Sequence, residues 1–374
     1  MKQGGALGAP PFRAYNPVFT GRAHIPAARP GTEPKVPMST LTELLSRATA
    51  ARAELLVRLA AEDTNCYRLF HGSVEGVSGL TVDRYGEQIL VQSFHKPLSE
   101  EELAEVRGYY QATLPELALV YNDRSEANSR IRNALPLAEQ AVAEQDVAIR
   151  ENGVSFVYQA RHKGQDPWLF LDLRAARRRV MQLSAGKSVL NLFAYTCGVG
   201  VAAAKAGASF VLNVDFSESS LSVGRANAKL NLVTTRPRCL HSDVFAALRQ
   251  LSGIGQAERV RGKKMPPFPK LEARQFDLVF LDPPRYSKSP FGVVDLVNDY
   301  QALFKPALLT TAVGGMLVCC NNVAEVDGEA WLESLKRSAV KAGREVRSAE
   351  WIVPDADFPS GDGKPPLKTV LLHV

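Results

Sequence analysis

The chain has 374 residues, 45% hydrophobic and 22% charged, a composition that excludes collagen-like, disulfide-scaffold and wholly disordered proteins. At about 100–200 residues per domain, two domains are predicted. The net charge of +6 is unevenly held: residues 1–38 carry five cations against one acid, residues 258–274 six against two, and the remainder sums to −2. A basic balance alone therefore says nothing about a nucleic-acid partner.

No apolar run reaches the ~18–20 residues that span a bilayer. Cys66, Cys197, Cys239, Cys319 and Cys320 are scattered without CxxC spacing. That pattern argues against structural zinc and a disulfide framework and fits a reducing compartment. A cytoplasmic protein without a metal centre is the expectation; the oligomeric state is left open.

Residues 1–38 hold seven prolines and no helical or strand periodicity, so they read as a disordered leader. Their arginines and scarcity of acids resemble a transit peptide. The prolines, which break a continuous amphipathic helix, favour instead an extension ahead of a true start at Met38. From residue 39 a small α/β module is predicted, running to about 145. Ser39 or Thr40 caps a first helix with Glu43, and Leu41, Leu44, Leu45 and Ala48 follow at helical spacing. A second helix is expected near 55–61. Short strands then fall at 67–70, 80–83 and 88–94, separated by Gly72, Gly76, Gly79 and Gly86. A helix near 100–114 and a strand at 118–121 complete the module.

A hairpin is read at 147–150 and 154–159, because Asn152-Gly153 supplies the positive φ angles of its turn. Beyond residue 180 strands and helices alternate. Strands are expected at 189–193, 210–215, 238–241, 276–281 and 316–320, with helices at 199–206, 218–231, 245–251, 296–312 and 329–342. Two last strands fall near 346–352 and 369–374. Nearly all-apolar strands in this rhythm mean a doubly wound α/β domain, residues 146–374, whose mostly parallel sheet is covered on both faces. Ligands of such sheets bind at the carboxyl ends of the strands.

Those ends carry the chemistry. The first reads Asn191-Leu192-Phe193-Ala194-Tyr195-Thr196-Cys197-Gly198-Val199-Gly200; its glycines allow a tight turn and close approach to a ligand, and the absence of a following Lys-Ser/Thr excludes a P-loop. The second ends at Asp215, placed to accept both hydroxyls of a ribose, with Ser217 free to cap the next helix. After the third, Asp243 either reads an adenine amino group or caps the helix at Phe245. The fourth ends in Asp282-Pro283-Pro284-Arg285-Tyr286, a rigid corner presenting a carboxylate and an aromatic ring. The fifth ends Cys319-Cys320-Asn321-Asn322. Arg174, Arg177, Arg178 and Arg179 either hold phosphates at the cleft mouth or line a solvated helix face. The cationic 258–274 loop is a second candidate for phosphate contact. His162 carries no mechanism by itself.

These residues resemble the class I S-adenosylmethionine-dependent methyltransferases of large-subunit ribosomal RNA, of the K/L and I types. Asn191-Leu-Phe-Ala-Tyr-Thr196 resembles that family's first loop, Asp215-Phe-Ser217 its ribose-binding segment and Asp282-Pro-Pro-Arg-Tyr286-Ser287 its Asp-Pro-Pro corner. Phe170-Leu-Asp172-Leu-Arg174 is similar to its Phe-Leu-Asp-x-Arg segment, and Gly79-Leu-Thr-Val-Asp-Arg-Tyr-Gly86 to its central domain. The resemblance runs from about residue 40 onward. It implies a seven-stranded Rossmann-like sheet with the small module on the substrate side. It also implies S-adenosylmethionine held by Asp172, Asn191, Phe193, Tyr195, Thr196, Gly198, Asp215, Ser217, Asp243 and Asp282. Asp282, Pro283, Tyr286 and Asn322 would orient a base of ribosomal RNA. The chain departs from the family at Cys197, where the loop usually has Gly, and at Leu173, where one version has Gln. It also has no room in 1–38 for the RNA-binding domain that the I type carries ahead of the module.

The acceptor atom turns on a nucleophile, since methylating carbon 5 of cytosine needs a thiolate to attack carbon 6. The I type places that Cys where this chain has Asn321, with Cys320 one residue earlier and on the opposite face of the strand. The K type's Phe-Ser-Asn-Asn is closer to Cys319-Cys320-Asn321-Asn322. A guanine nitrogen is therefore favoured over cytosine carbon 5, and both cysteines read as small buried hydrophobes. The alternatives are a methyltransferase acting on a small molecule or protein, and a cofactor-binding RNA-interaction module without turnover.

Overall fold

In a computed structural model of the protein, the described residues are 40–126, 134–164, 166–260 and 262–374. The leader, Ser39 and Arg261 lie outside them. The first helix, α1 (Leu41–Ala51), opens as its residues require: Thr40 Oγ1 accepts the Glu43 N–H at 3.2 Å, and the Glu43 carboxylate accepts the Thr40 N–H at 3.0 Å. After α2 (Ala53–Ala61) come β1 (Cys66–His71), the one-turn α3 (Gly72–Glu75), β2 (Leu80–Tyr85) and β3 (Gln88–Ser93). Next are α4 (Glu100–Thr113), β4 (Ala118–Asp123) and α5 (Leu137–Ala143), a helix the sequence reading lacked. The strands form a sheet in order β1-β2-β3-β4, antiparallel except for the parallel pair β3–β4. One face buries Leu45, Leu59 and Val106 of the helices against Phe70, Val82 and Ile89.

The hairpin β5 (Val147–Glu151) and β6 (Val154–Tyr158) forms around Asn152 and Gly153, both at positive φ. It binds two ways. Asn65 N–H donates to the Arg150 carbonyl, and the Arg150 N–H to Asn65 Oδ1, while Ser155 and Val157 N–H donate to Asn231 and Asn227.

The second domain continues with α6 (Arg174–Ser184), β7 (Ser188–Leu192), α7 (Gly198–Lys205), β8 (Phe210–Asp215), α8 (Glu218–Leu230), β9 (Arg238–His241) and α9 (Val244–Leu251). A small hairpin, β10 (Arg259–Val260) with β11 (Lys263–Lys264), precedes β12 (Phe276–Leu281). Then come a second hairpin, β13 (Tyr286–Ser289) with β14 (Gly292–Asp295), and α10 (Gln301–Thr310), β15 (Thr311–Asn321), α11 (Gly328–Lys341), β16 (Ser348–Trp351) and β17 (Lys368–His373). The central sheet has the order β16-β17-β15-β12-β7-β8-β9, with β17 antiparallel to its neighbours. Period-2 alternation feeds two cores: Leu190, Leu192, Val279 and Leu281 join the helices α9–α11, whereas Val189, Leu278 and Phe280 join α6 and α7.

The helix expected over 296–312 is corrected at both ends. Asp295 Oδ1 accepts the Val297 and Asn298 N–H groups, a local turn that delays the helix to Gln301, and Thr311 and Ala312 belong to β15. The hairpin before it was illegible because its turn, Pro290-Phe291, sits between strands of only four residues, the first of them polar.

Candidate active site

The chain runs from β7 outward to β8 and β9, then returns to β12 and β15 on the other side of β7. The reversal lies between β7 and β12, and the loops leaving these two strands converge at the place where open α/β sheets bind ligands. After β7 the backbone alternates: Phe193, Tyr195 and Cys197 stand at φ 54°, 47° and 61°. Left-handed conformations are costly for residues with side chains, and the N–H groups of Ala194, Tyr195 and Cys197 are spent on Val214 O, the Asp215 carboxylate and Ala194 O.

Neighbours hold this strain in place. Asp215, at the end of β8, accepts the Tyr195 N–H at 2.8 Å and the Ser217 N–H at 2.8 Å. Burial pushes its carboxyl up, opposed by those two hydrogen bonds. The Tyr195 hydroxyl donates to the Asp166 carbonyl and the Thr196 hydroxyl to that of Trp168. Asn227 joins loop to hairpin, donating to Thr196 O and accepting from Val157 N–H. Asn227 was missed in the sequence reading, and the available signal was an amide on an otherwise buried helix face.

Several expected site residues serve the frame. Asn191 is 2% exposed, its Nδ2 donating to Asn213 Oδ1 at 2.9 Å. A Cβ on Gly200 would lie 2.0 Å from that same Asn213 oxygen, so Gly200 makes room for Asn213 and not for a ligand. Gly198 faces Leu169. Ser217 caps α8, accepting the Ser220 N–H. Asp243 caps α9 through the Phe245 and Ala246 N–H groups. His162 bonds the Asp166 carbonyl and lies 4.8 Å from the Trp168 ring.

The four arginines are the largest correction. Neither phosphate contact nor a solvated face describes Arg174, which is fully buried between Asp355 and Asp357, or Arg177, whose guanidinium forks onto Glu151. Arg178 bridges Glu62 and Asp355, and Arg179 meets Glu350. These pairs fasten α6 to the module, the hairpin and the segment after β16.

Across the cleft, Asp282 is half-buried and follows β12 directly. Burial, reinforced by the nearby Asp172 charge, pushes its carboxyl up to about 7. Asp172, half-buried in the turn before α6, is itself raised by burial, against the pull of Arg68 and Arg177. Pro283 is buried, and Tyr286 is 62% exposed at the start of β13. At the end of β15, Asn321 is fully buried, donating to the Leu296 carbonyl and accepting the Val323 N–H. Asn322 Oδ1 is buried without a partner, a cost that a ligand N–H in the cleft relieves. Cys319 and Cys320 are fully buried, and burial raises both thiols. Neither is a thiolate. Among the described residues no cluster suits a metal ion and no helix is long and apolar enough to cross a membrane.

A strained loop after β7, an acid ending β8 and an Asp-Pro corner after β12 stand at the carboxyl ends of a Rossmann-like sheet, where such sheets bind ligands. The family model for S-adenosylmethionine-dependent methyltransferases matches residues 67–373, and the chain belongs to that family. It is 32% identical over 311 residues to a ribosomal RNA large subunit methyltransferase of Deinococcus radiodurans, spanning 81% of this chain and 71% of that one. Against ribosomal RNA large subunit methyltransferase I of Aeromonas salmonicida the identity is 28%, over 80% and 71% of the two chains. A solved methyltransferase in complex with SAH shares the fold with a TM-score of 0.71 at 21% identity, covering 89% of this chain and 80% of that one. The protein is thus a methyltransferase whose cofactor is S-adenosylmethionine, and the buried Asp215 carboxylate at the end of β8 has the acceptor chemistry for the ribose hydroxyls of such a group.

Proposed function

We propose that this enzyme methylates a base of ribosomal RNA, at a guanine nitrogen rather than at cytosine carbon 5. The carrying observation is the end of β15: the thiols of Cys319 and Cys320 are fully buried, which raises both, and the family resemblance sets Asn321 at the I type's nucleophile position. A ring nitrogen lone pair is already nucleophilic and needs no covalent help. The names of the similar chains support an RNA substrate, and five cysteines without a disulfide support a reducing, cytoplasmic location.

S-adenosylmethionine, when bound, supplies an electrophilic methyl group. Asp215 accepts ribose hydroxyls while its bonds to Tyr195 and Ser217 hold the loop; Thr196, Phe193 and Asp172 complete that side. Asp282, or the Pro283 carbonyl, accepts an N–H of the base. Asn322 Oδ1 accepts a second, and exposed Tyr286 stacks on the ring. Holding the acceptor in line supplies most of the rate. The small module is the substrate-side wall.

Nucleoside mass spectrometry of RNA from cells with and without the gene tests this reading. One methylated guanosine disappears; loss of 5-methylcytidine overturns the nitrogen assignment, and an unchanged profile shifts the weight to a protein or small-molecule acceptor. Two variants test the residues. Asp215→Ala removes hydrogen bonds to a charged group worth roughly 1.5–3 kcal/mol, so calorimetric affinity for S-adenosylmethionine falls about ten- to a hundredfold. Asp282→Asn lowers kcat by roughly 10²-fold or more with the fold intact. In the native enzyme the rate rises with pH to a plateau above about 7, as Asp282 ionises. The same raised carboxyl favours the folded state while protonated, so its contribution to stability is lost as pH climbs from about 4 to about 7. In Asp282→Asn both slopes flatten.

A further inference from the structure

Cys197, the residue that departs from the family's glycine, lies beside a second thiol. Its Sγ is 3.9 Å from Sγ of Cys239, 42 positions further along the chain. Cys197 is fully buried and closes the strained loop, its N–H donating to the Ala194 carbonyl at 2.7 Å. Its sulfur occupies a slot against α8 that exists because residue 224 is glycine: a Cβ there would come within 2.4 Å of it. Cys239 is half-buried on β9, the edge strand of the central sheet, within reach of solvent. The two differ in chemistry. Cys239 is pulled below the usual thiol range by its hydrogen bond with Cys197, with the Arg225 guanidinium assisting, whereas that same bond and burial raise Cys197. One accessible thiolate beside one sheltered thiol is the arrangement of an attacking and a resolving cysteine.

We infer that Cys197 and Cys239 are a disulfide-forming pair, an oxidation site through which a hydroperoxide disables the cofactor loop. The Cys239 thiolate attacks one peroxide oxygen. An S–O bond forms, the O–O bond breaks, and the departing hydroxide leaves as water after taking up a proton. Cys197 sulfur then attacks the sulfenic sulfur. The S–S bond forms, the S–O bond breaks, and the expelled hydroxide leaves as water with the Cys197 proton. Two thiols lose two electrons and hydrogen peroxide becomes two waters. A disulfide needs its sulfurs about 2.05 Å apart, so the 3.9 Å gap must close, and the approach of the Cys197 sulfur takes it out of its slot against Gly224. Thr196 precedes it, and Tyr195, whose N–H holds Asp215, is two residues back. The loop cannot keep both arrangements. This consequence rests on the assignment of the loop to the cofactor, whereas the pairing of the sulfurs does not.

The test treats the full chain with stoichiometric hydrogen peroxide and maps disulfides by peptide mass spectrometry, with calorimetry of S-adenosylmethionine binding before oxidation, after it and after dithiothreitol. The expected result is a 197–239 linkage, at least a tenfold loss of affinity and recovery on reduction. Cys239→Ser should bind like the reduced native protein and lose nothing to peroxide; Cys197→Ala, checked for folding by circular dichroism, is the second control. The pairing is overturned if the 197 and 239 peptides stay unlinked, and its effect is overturned if linked protein binds with unchanged affinity. If the reduced native protein fails to bind the cofactor, the site assignment fails, while disulfide mapping still decides the pair.

Discussion

Two clusters of cations stand apart in this protein although they look alike in the sequence. Residues 174–179 hold four arginines, and 258–274 hold six basic residues. The first set is folded inward: Arg174 and Arg177 are essentially buried, each with its carboxylates. The second stays outside, with Arg259, Lys263 and Lys264 exposed on β10 and β11 and Lys270 paired to Glu258 at the surface. The difference lies in the acids. Glu151, Asp355 and Asp357 are supplied by distant segments that the fold brings to α6, whereas among the described residues no acid from a distant segment pairs with a cation of the 258–274 loop. Clustered cations therefore indicate phosphate binding only when the fold leaves them without carboxylates.

The strongest way to break this contrast is to remove Arg174. Arg174→Met leaves Asp357 buried without its cation, Asp355 keeping Arg58 and Arg178, and cutting one partner from a buried pair costs about 3–5 kcal/mol. Urea unfolding measures it. Replacing Arg174 and Asp357 together with apolar residues should recover most of the loss; a single variant as stable as the native protein would show that the junction is ornamental.

Acid is the next lever. Burial, the largest influence on Asp355, raises its carboxyl, but Arg174 and Arg178 together bring it below its ordinary value. A depressed carboxyl stabilises the fold above its unfolded value of about 4 and loses that contribution as pH falls through the lower folded value. Hydrogen exchange below pH 4 should open residues 352–358 ahead of the central strands, and leave the 259–264 hairpin as it was. The smallest effect is expected outside. Lys263→Glu with Lys264→Glu should leave Tm unchanged, weaken binding of a large-subunit ribosomal RNA fragment several-fold, and lower its salt slope by about two. An unaltered slope would remove this loop from the RNA-binding surface.

Much of the fold was legible because the local signals were strong. The apolar runs at Phe276–Leu281 and Phe210–Asp215 could only be covered strands, and Thr40 with Glu43 marked a helix start that the structure reproduces. The structure places Asp215, Tyr195 and Asp282 at the carboxyl ends of the sheet strands, as read from the sequence. What escaped was set by contacts over long sequence distances. Nothing near Gly200 announces that its missing side chain is filled by Asn213, and nothing near Arg174 announces Asp357, 183 residues later. The β13–β14 hairpin escaped for the opposite reason: it is local, but its strands are only four residues long and the first is polar.

Asp357 has one more consequence, for the order in which the protein is made. Its carboxylate accepts the Arg68 N–H in β1 as well as pairing with Arg174, and its carbonyl accepts from Arg52. All three partners leave the ribosome some 180–300 residues earlier. Arg52 and Arg68 find Glu75 and Asp83 within the module, but Arg174 has no counter-charge until residues 355–357 are translated, so the nascent chain carries its docking surface open through most of synthesis. Chaperone engagement should therefore concentrate on that seam and end when the last loop closes it.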